Sequence, residues 1–160
     1  MDKKNDNSFF AMLSRMKYIE RWALMRNSLR KNVSEHSLET AVVAHALAII
    51  GNCRLGMDYD IEYIALLAMY HDCTEIITGD MPTPVKYYNT EIKDAYKEIE
   101  VNAAKNLLSR LPEDMALEYE KYLLPKEDAS VMKLIKAADK ISALIKCIEA
   151  VSYTHLRAHE

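Results

Sequence analysis

The run Ile61-Glu62-Tyr63-Ile64-Ala65-Leu66-Leu67-Ala68-Met69-Tyr70 ends in an adjacent pair, His71-Asp72. Apolar residues this dense, at helical spacing, read as a buried helix. On that helix Asp72 continues the row Ile61, Ala65, Ala68, and His71 continues the row Ile64, Leu67, Ala68. Two ionisable side chains therefore stand at the end of a face that belongs to the core. Burying them unpaired costs on the order of 2–7 kcal/mol for a neutral polar group and more for a charge. The fold has to satisfy them, and a cation is the simplest candidate.

His36 and Asp139 complete the set. Two imidazoles and two carboxylates on three separate helical segments are the ingredients of a divalent-metal site. That donor set suits Zn²⁺, Mn²⁺, Co²⁺, Fe²⁺ or Mg²⁺, with positions left for water and substrate. No histidine lies between Asp72 and Asp139, which argues for one metal rather than two. Glu75, one turn past Asp72, can face the same pocket and position or deprotonate a water. Asp80 opens a proline-rich loop and can line the pocket. Arg21 precedes Trp22, a fixed cation for a phosphate beside a flat apolar wall. From the residues alone, that pair reads first as an ordinary cation packed on an aromatic ring.

The rest of the chain is ordinary for a soluble domain. Its 160 residues, half of them hydrophobic and 28% charged, make one domain with a sizeable core. Only 3 Gly and 4 Pro interrupt it, so helices should dominate. A net charge of −3 and a pI near 6.0 give no global attraction for a nucleic acid polymer or an anionic membrane. Cys53, Cys73 and Cys147 form no C-x-x-C pair, so neither a zinc ribbon nor a disulfide framework is expected. No signal peptide or membrane-spanning stretch is read, and a cytoplasmic location follows.

The pattern predicts an all-helical domain of about six helices. Phe9 to Tyr18 is a short helix, and Ile19 to Lys31 is loop with a helical turn. Ser34 caps a long helix ending near Gly51, with Leu38, Ala41, Val42, His45 and Ile49 as its apolar stripe. His45 is then a core histidine. Asp58 or Asp60 opens the next helix, and Cys73 to Pro84 is a constrained loop. Thr90 to about Ser109 is helical, with Ile92, Tyr96, Ile99 and Ala103 on one face. Pro112 starts a short helix to about Leu124. Asp128 caps the last helix, whose stripe is Val131, Leu134 or Ile135, Ala138, Ile141, Ile145 and Ile148. Lys133, Lys136, Lys140 and Lys146 read as its solvated face.

The set His36, His71-Asp72 and Asp139 resembles the HD-domain metal phosphohydrolases. More narrowly, four stretches are similar to the bacterial 5′-deoxynucleotidase family: Ser8-Phe9-Phe10-Ala11, Arg21-Trp22, Asn32 to Leu38, and Ala65 through Tyr87. The segment Thr78-Gly79-Asp80-Met81-Pro82-Thr83-Pro84-Val85-Lys86-Tyr87 is the most specific of these. The resemblance spans residues 8–150 and implies an HD-domain helical bundle in a single domain, residues 1–150. It implies hydrolysis of deoxyribonucleoside 5′-monophosphates, one divalent metal such as Co²⁺ or Mn²⁺, and a homodimer. By the same resemblance His36, His71, Asp72 and Asp139 hold the metal. Arg21 orients the phosphate, Trp22 crowds the sugar's 2′ position, and Glu75 handles the attacking water. Asp80, Met81, Pro82 and Thr83 shape the nucleotide side, and His36, Asp72 and Asp139 also touch substrate.

The last ten residues, 151–160, do not resemble the family's continuation and look like a read-through artefact, so the domain is expected to be truncated after 150. His155 and His159 in that tail, spaced i, i+4, lack the H-E-x-x-H glutamate and are not read as zinc ligands. Two rival functions stay open. One is a nucleotide-binding or regulatory module without turnover. The other is an HD hydrolase of deoxynucleoside triphosphates or guanosine polyphosphates.

Overall fold

A computed structural model describes residues 7–23, 30–126 and 128–157, with side chains through Ala150. Eight α-helices make up the described fold: α1 Phe9–Leu13, α2 Val33–Leu55, α3 Ile61–Tyr70, α4 Glu75–Thr78, α5 Thr83–Lys86, α6 Thr90–Leu108, α7 Glu113–Leu123 and α8 Ala129–Arg157. A 3₁₀ turn, Ser14–Tyr18, continues α1. The described residues contain no strand, only an antiparallel bridge from Glu20 to Asn32. The all-helical expectation holds. The count of six becomes eight because the loop from Cys73 to Pro84 contains two single-turn helices, with Gly79 at φ 72° closing the first.

α2 starts two residues earlier than expected. The Asn32 side chain accepts from Glu35 N, and the Glu35 carboxylate accepts from Asn32 N, a closed capping box. Asn32, not Ser34, is the cap. The helix also runs past Gly51 to Gly56, which takes the left-handed conformation at φ 65°. Gly51 is internal and buried, and a Cβ there would meet the Tyr59 ring at 2.8 Å. Asp60 caps α3 by accepting from Tyr63 N, and Asp128 caps α8 by accepting from Ser130 N.

The buried face of α2 is not the expected stripe. Val33, His36, Ser37, Thr40, Ala41 and Ala44 face inward, while Leu38, Val42, His45 and Ile49 are exposed. Small residues let α2 approach α3 and α8 closely, and the long aliphatics are left outside. His45 is therefore a surface residue. α8 shows the same turn of register: Leu134, Ile135 and Ala138 are buried, then Ser142 and Lys146, while Ile141, Ile145 and Ile148 are exposed. Lys146 is thus a core-facing lysine, not part of the solvated face. On α6, Tyr96 and Ala103 are buried but Ile92 and Ile99 are not.

By length and apolar composition α2 could cross a membrane, contrary to the sequence expectation. Its packing against α3 and α8, with Glu35, His36, Glu39 and Thr40 in its first two turns, marks it as a core helix here. Two apolar clusters result. Phe9, Met16, Val33, Cys73, Ile76 and Leu107 centre one, under α1, α6 and α7. Ala44, Ala48, Ile64, Ala68, Leu134 and Ala138 centre the other, between α2, α3 and α8.

Candidate metal centre

Each of the four expected donors comes from a different local context. His36 follows the capping box at the start of α2, where its first buried turn faces α8. His71 ends α3 as its C-cap, and Asp72 begins the turn that leads to α4. Asp139 follows the fully buried Ala138 on α8. The buried faces of three helices meet, and the four side chains meet with them.

Three ligand-competent atoms, one each from His36, His71 and Asp139, lie within 4.8 Å of one another. His36 Nε2 is 2.9 Å from Asp139 Oδ1 and 3.5 Å from Asp72 Oδ2. His71 Nε2 is 3.2 Å from Asp72 Oδ2. These atoms are close but not aligned as hydrogen bonds: His71 Nε2 and Asp139 Oδ1 are buried with no hydrogen-bond partner. Buried polar atoms without partners are rare and costly. Here, with an atom of His36, they lie close enough to one another to share a single ion. Two nitrogens and two carboxylates suit a borderline divalent cation. The residues present fit a metal.

The imidazole of His71 is already oriented. Its Nδ1 lies 2.6 Å from the Ala68 carbonyl and donates to it, which leaves the Nε2 lone pair facing the cluster. Arg21 closes one side. Its guanidinium donates to Asp72 Oδ2 at 2.6 Å and approaches Asp139 Oδ1 at 3.7 Å. Arg21 is brought there by hydrogen bonding of its own N–H to Lys31 O and by the bridge between Glu20 and Asn32.

Charge and burial shape the titration. Burial opposes ionisation of Asp72, but His71, then Arg21 and His36, outweigh it and hold the carboxyl far below the usual range. Burial lowers His36, with Arg21 adding to the effect against Asp139. Burial would also lower His71, but the neighbouring Asp72 outweighs it and the net direction is upward. Burial, then Asp72 and Asp80, push Glu75 up to about 9. Glu75 is only 8% exposed, and its Oε2 has no hydrogen-bond partner. Cys73 is buried and its thiol is pushed up to about 12, which suits packing and not nucleophilic attack.

Asp80 is engaged with the main chain. Its Oδ2 accepts from Trp22 N at 2.8 Å, so it fixes the backbone beside Arg21. Met81 and Pro82, half-buried, and Thr83, exposed at the start of α5, follow it. A cavity of about 320 Å³ opens behind His71, lined by Leu67, Tyr70, Thr74, Tyr122 and Ile135 among others.

The structure adds Thr40 and Ser142, which the sequence reading passed over, and Lys146, which it placed on a solvated face. Thr40 Oγ1 is 3.3 Å from His36 Nε2, and Ser142 Oγ is 3.3 Å from His36 Nδ1. The Lys146 ammonium sits 4.6 Å above the Trp22 ring and donates to Arg21 O at 3.4 Å. The signal was spacing: Thr40 lies four residues after His36, and Ser142 three after Asp139, both on the same helix face as a donor. His155 and His159 lie outside the side chains described.

Residues 8–155 match the family of YfbR-like 5′-deoxynucleotidases. The chain belongs to that family. A 5′-deoxynucleotidase from Vibrio vulnificus is 49% identical over 148 residues, covering 92% of this chain and 76% of that protein. One from Vibrio parahaemolyticus is 52% identical over 151 residues, with the same coverage. Among solved structures, an HD-domain phosphohydrolase from Listeria innocua superposes with a TM-score of 0.80 at 26% identity, covering 92% of this chain and 70% of that one. A cyanophage S-2L HD phosphohydrolase, solved with dA and one catalytic Zn²⁺ ion, gives 0.64 at 23% identity, over 91% of this chain and 78% of that one. At that identity the likeness concerns the fold. The YfbR-like family is one of phosphohydrolases, and the HD-domain helical bundle expected from the sequence is its fold.

Proposed function

We propose that this chain hydrolyses deoxyribonucleoside 5′-monophosphates to deoxyribonucleosides and orthophosphate with one divalent cation held by His36, His71, Asp72 and Asp139. The observation that carries the reading is the convergence of His36, His71 and Asp139, with Asp72 Oδ2 3.5 Å and 3.2 Å from the two imidazoles and two cluster atoms buried without a hydrogen-bond partner, in a chain about half identical to proteins named for that activity. A cation of the Mn²⁺ or Co²⁺ class, bound there, would supply Lewis acidity that acidifies water and offsets charge on phosphoryl oxygens.

The chain's own residues supply the rest. Arg21, already donating to Asp72 at the edge of the cluster, holds the phosphate with a planar fork of donors. Glu75, buried and unpartnered at Oε2, holds or moves a proton for the attacking water and the departing 5′ oxygen. The Trp22 ring, backed by Lys146, narrows the space at the sugar's 2′ position. Asp80 acts by holding the Trp22 amide, and Met81, Pro82 and Thr83 wall the nucleotide side. His36, Asp72 and Asp139 meet the phosphate end of the substrate.

We also infer a homodimer in the cytoplasm. α2 and α8 leave Leu38, Val42, Leu144 and Ile148 at 57–63% exposure, an apolar surface that a second copy would cover. The described cysteines form no disulfide. We take residues 1–150 as the domain and set 151–160 apart, although α8 runs to Arg157 and the family match to residue 155.

A substrate panel on the purified chain with added Mn²⁺ tests the reading. Orthophosphate should come from deoxyribonucleoside monophosphates well ahead of ribonucleotides and deoxynucleoside triphosphates, and Asp139→Asn should abolish it. Tripolyphosphate or pyrophosphate as the product would replace this reading with one of the other HD hydrolase activities. Binding without any release would leave a nucleotide-binding module.

A further inference from the structure

His36 is 2% exposed, and its Nδ1 side faces not a backbone carbonyl but Ser142, which is fully buried. Ser142 Oγ lies 3.3 Å from His36 Nδ1 and donates to Glu39 Oε2 at 3.3 Å. Lys31 Nζ in turn pairs with the same Glu39 oxygen and is itself buried. We propose that Glu39, Ser142 and Lys31 form a polar relay that fixes His36 in the tautomer with its hydrogen on Nδ1.

The polarity follows from counting hydrogens. A serine hydroxyl has one to give, and a carboxylate paired with a lysine accepts only. Glu39 therefore takes the Ser142 hydrogen. Ser142 Oγ is left as an acceptor, and His36 Nδ1 must carry the hydrogen that it accepts. The Nε2 lone pair then faces the cluster. One contact on that side agrees and one competes. Thr40 Oγ1, 3.3 Å from Nε2, is a hydroxyl able to donate. Asp139 Oδ1, 2.9 Å from Nε2, is the rival partner: a hydrogen on Nε2 would serve it, so the relay has to outweigh that contact.

The two imidazoles thus reach the same state by different means. His71 is held by the Ala68 carbonyl, and His36 is held by a carboxylate acting through a serine. Lys31 keeps Glu39 in place and in its accepting role. These are positioning residues: Ser142 touches His36, Glu39 touches Ser142, and Lys31 touches Glu39. Two of them lie one turn from a candidate donor, Glu39 after His36 on α2 and Ser142 after Asp139 on α8.

The tautomer claim stands on the metal-free protein. Its consequence for affinity rests on the reading of His36 as a ligand. Imidazole ¹⁵N chemical shifts of the chelator-treated protein at pH 8 test the first. The parent should show His36 with hydrogen on Nδ1. In Glu39→Gln the new amide can donate to Ser142 Oγ, which frees the hydroxyl to donate to Nδ1, and the Nε2–H form should appear. Calorimetric titration with Mn²⁺ tests the second: affinity should fall ten- to a hundred-fold in Glu39→Gln and Ser142→Ala, the range typical of groups that orient metal ligands. Ser142→Thr should keep both tautomer and affinity. An Nε2–H parent, or no tautomer change in Glu39→Gln, overturns the relay; because Glu39 is half-exposed, that variant should fold even if Ser142→Ala does not. If His36→Ala binds Mn²⁺ as the parent does, the ligand reading fails, while the tautomer result still judges the relay.

Discussion

Trp22 has φ +60°, the only positive φ outside glycine among the described residues. For an aromatic residue this conformation costs roughly 1–2 kcal/mol, and the hydrogen bond from its N–H to Asp80 opposes that cost. Strain held in place beside a reactive cluster points to a positioning task, and the task proposed is crowding at the sugar. Trp22→Ala should narrow the ratio of deoxyribonucleotide to ribonucleotide turnover, measured as kcat/KM for a matched pair. An unchanged ratio removes Trp22 from specificity. Glu75→Gln should retain Mn²⁺ binding by calorimetry yet lose on the order of a hundred-fold in turnover. The same variant carries a pH signature. Glu75 is pushed up to about 9 from the ordinary 4.5 of a glutamate, so between these the unfolded chain ionises while the folded chain keeps its proton. Stability of the metal-free parent should fall as pH rises through that window, by at most about 1.4 kcal/mol per pH unit from this one group. Urea unfolding at pH 5 and pH 8.5 should show Glu75→Gln gaining on the parent at the higher pH; parallel behaviour would mean Glu75 titrates normally. At this scale His71 and Asp72 stood out as candidate donors because ionisable groups on an apolar face demand an explanation. Lys146 and Ser142 were not, because a lysine or serine on a helix gives no sign of facing inward until the register is known.

The register was the main thing the elements concealed. Counting apolar residues on α2 put Leu38, Val42 and Ile49 inside, where Ser37, Thr40 and Ala44 are. Close helix packing selects small residues, and hydropathy does not rank size. The boundary was off for a related reason: Ser34 and Gly51 are each good punctuation, but Asn32 with Glu35 makes a reciprocal box, and Gly56 sits in the left-handed conformation. Asn32→Ala should cost about 1 kcal/mol in chemical denaturation, and it removes the cap of the helix that delivers His36. Gly51→Ala should cost more, about 1–3 kcal/mol, because its Cβ would press on the Tyr59 ring. A neutral Gly51→Ala would place Tyr59 elsewhere. Of the helices with plain starts, Asp128 was read as it is, and Asp60 was one of two candidates with Asp58.

For the whole molecule, helix content and a single domain followed from few glycines and prolines, but the assembly of three helix faces around one point could be asserted only from the chemistry of the donors. No periodicity brings residue 36 to residue 139. The exposed aliphatics of α2 and α8 carry the expectation of self-association, and Val42→Glu should shift sedimentation toward monomer if they meet a second copy. The account itself turns on the cluster. Mn²⁺ titrated into chelator-stripped protein, with orthophosphate release from a deoxyribonucleoside 5′-monophosphate followed at each step, should give no release at the start and a plateau at one equivalent per chain. Full release without added metal, or a plateau reached only at two equivalents, would contradict a single cation held by His36, His71, Asp72 and Asp139.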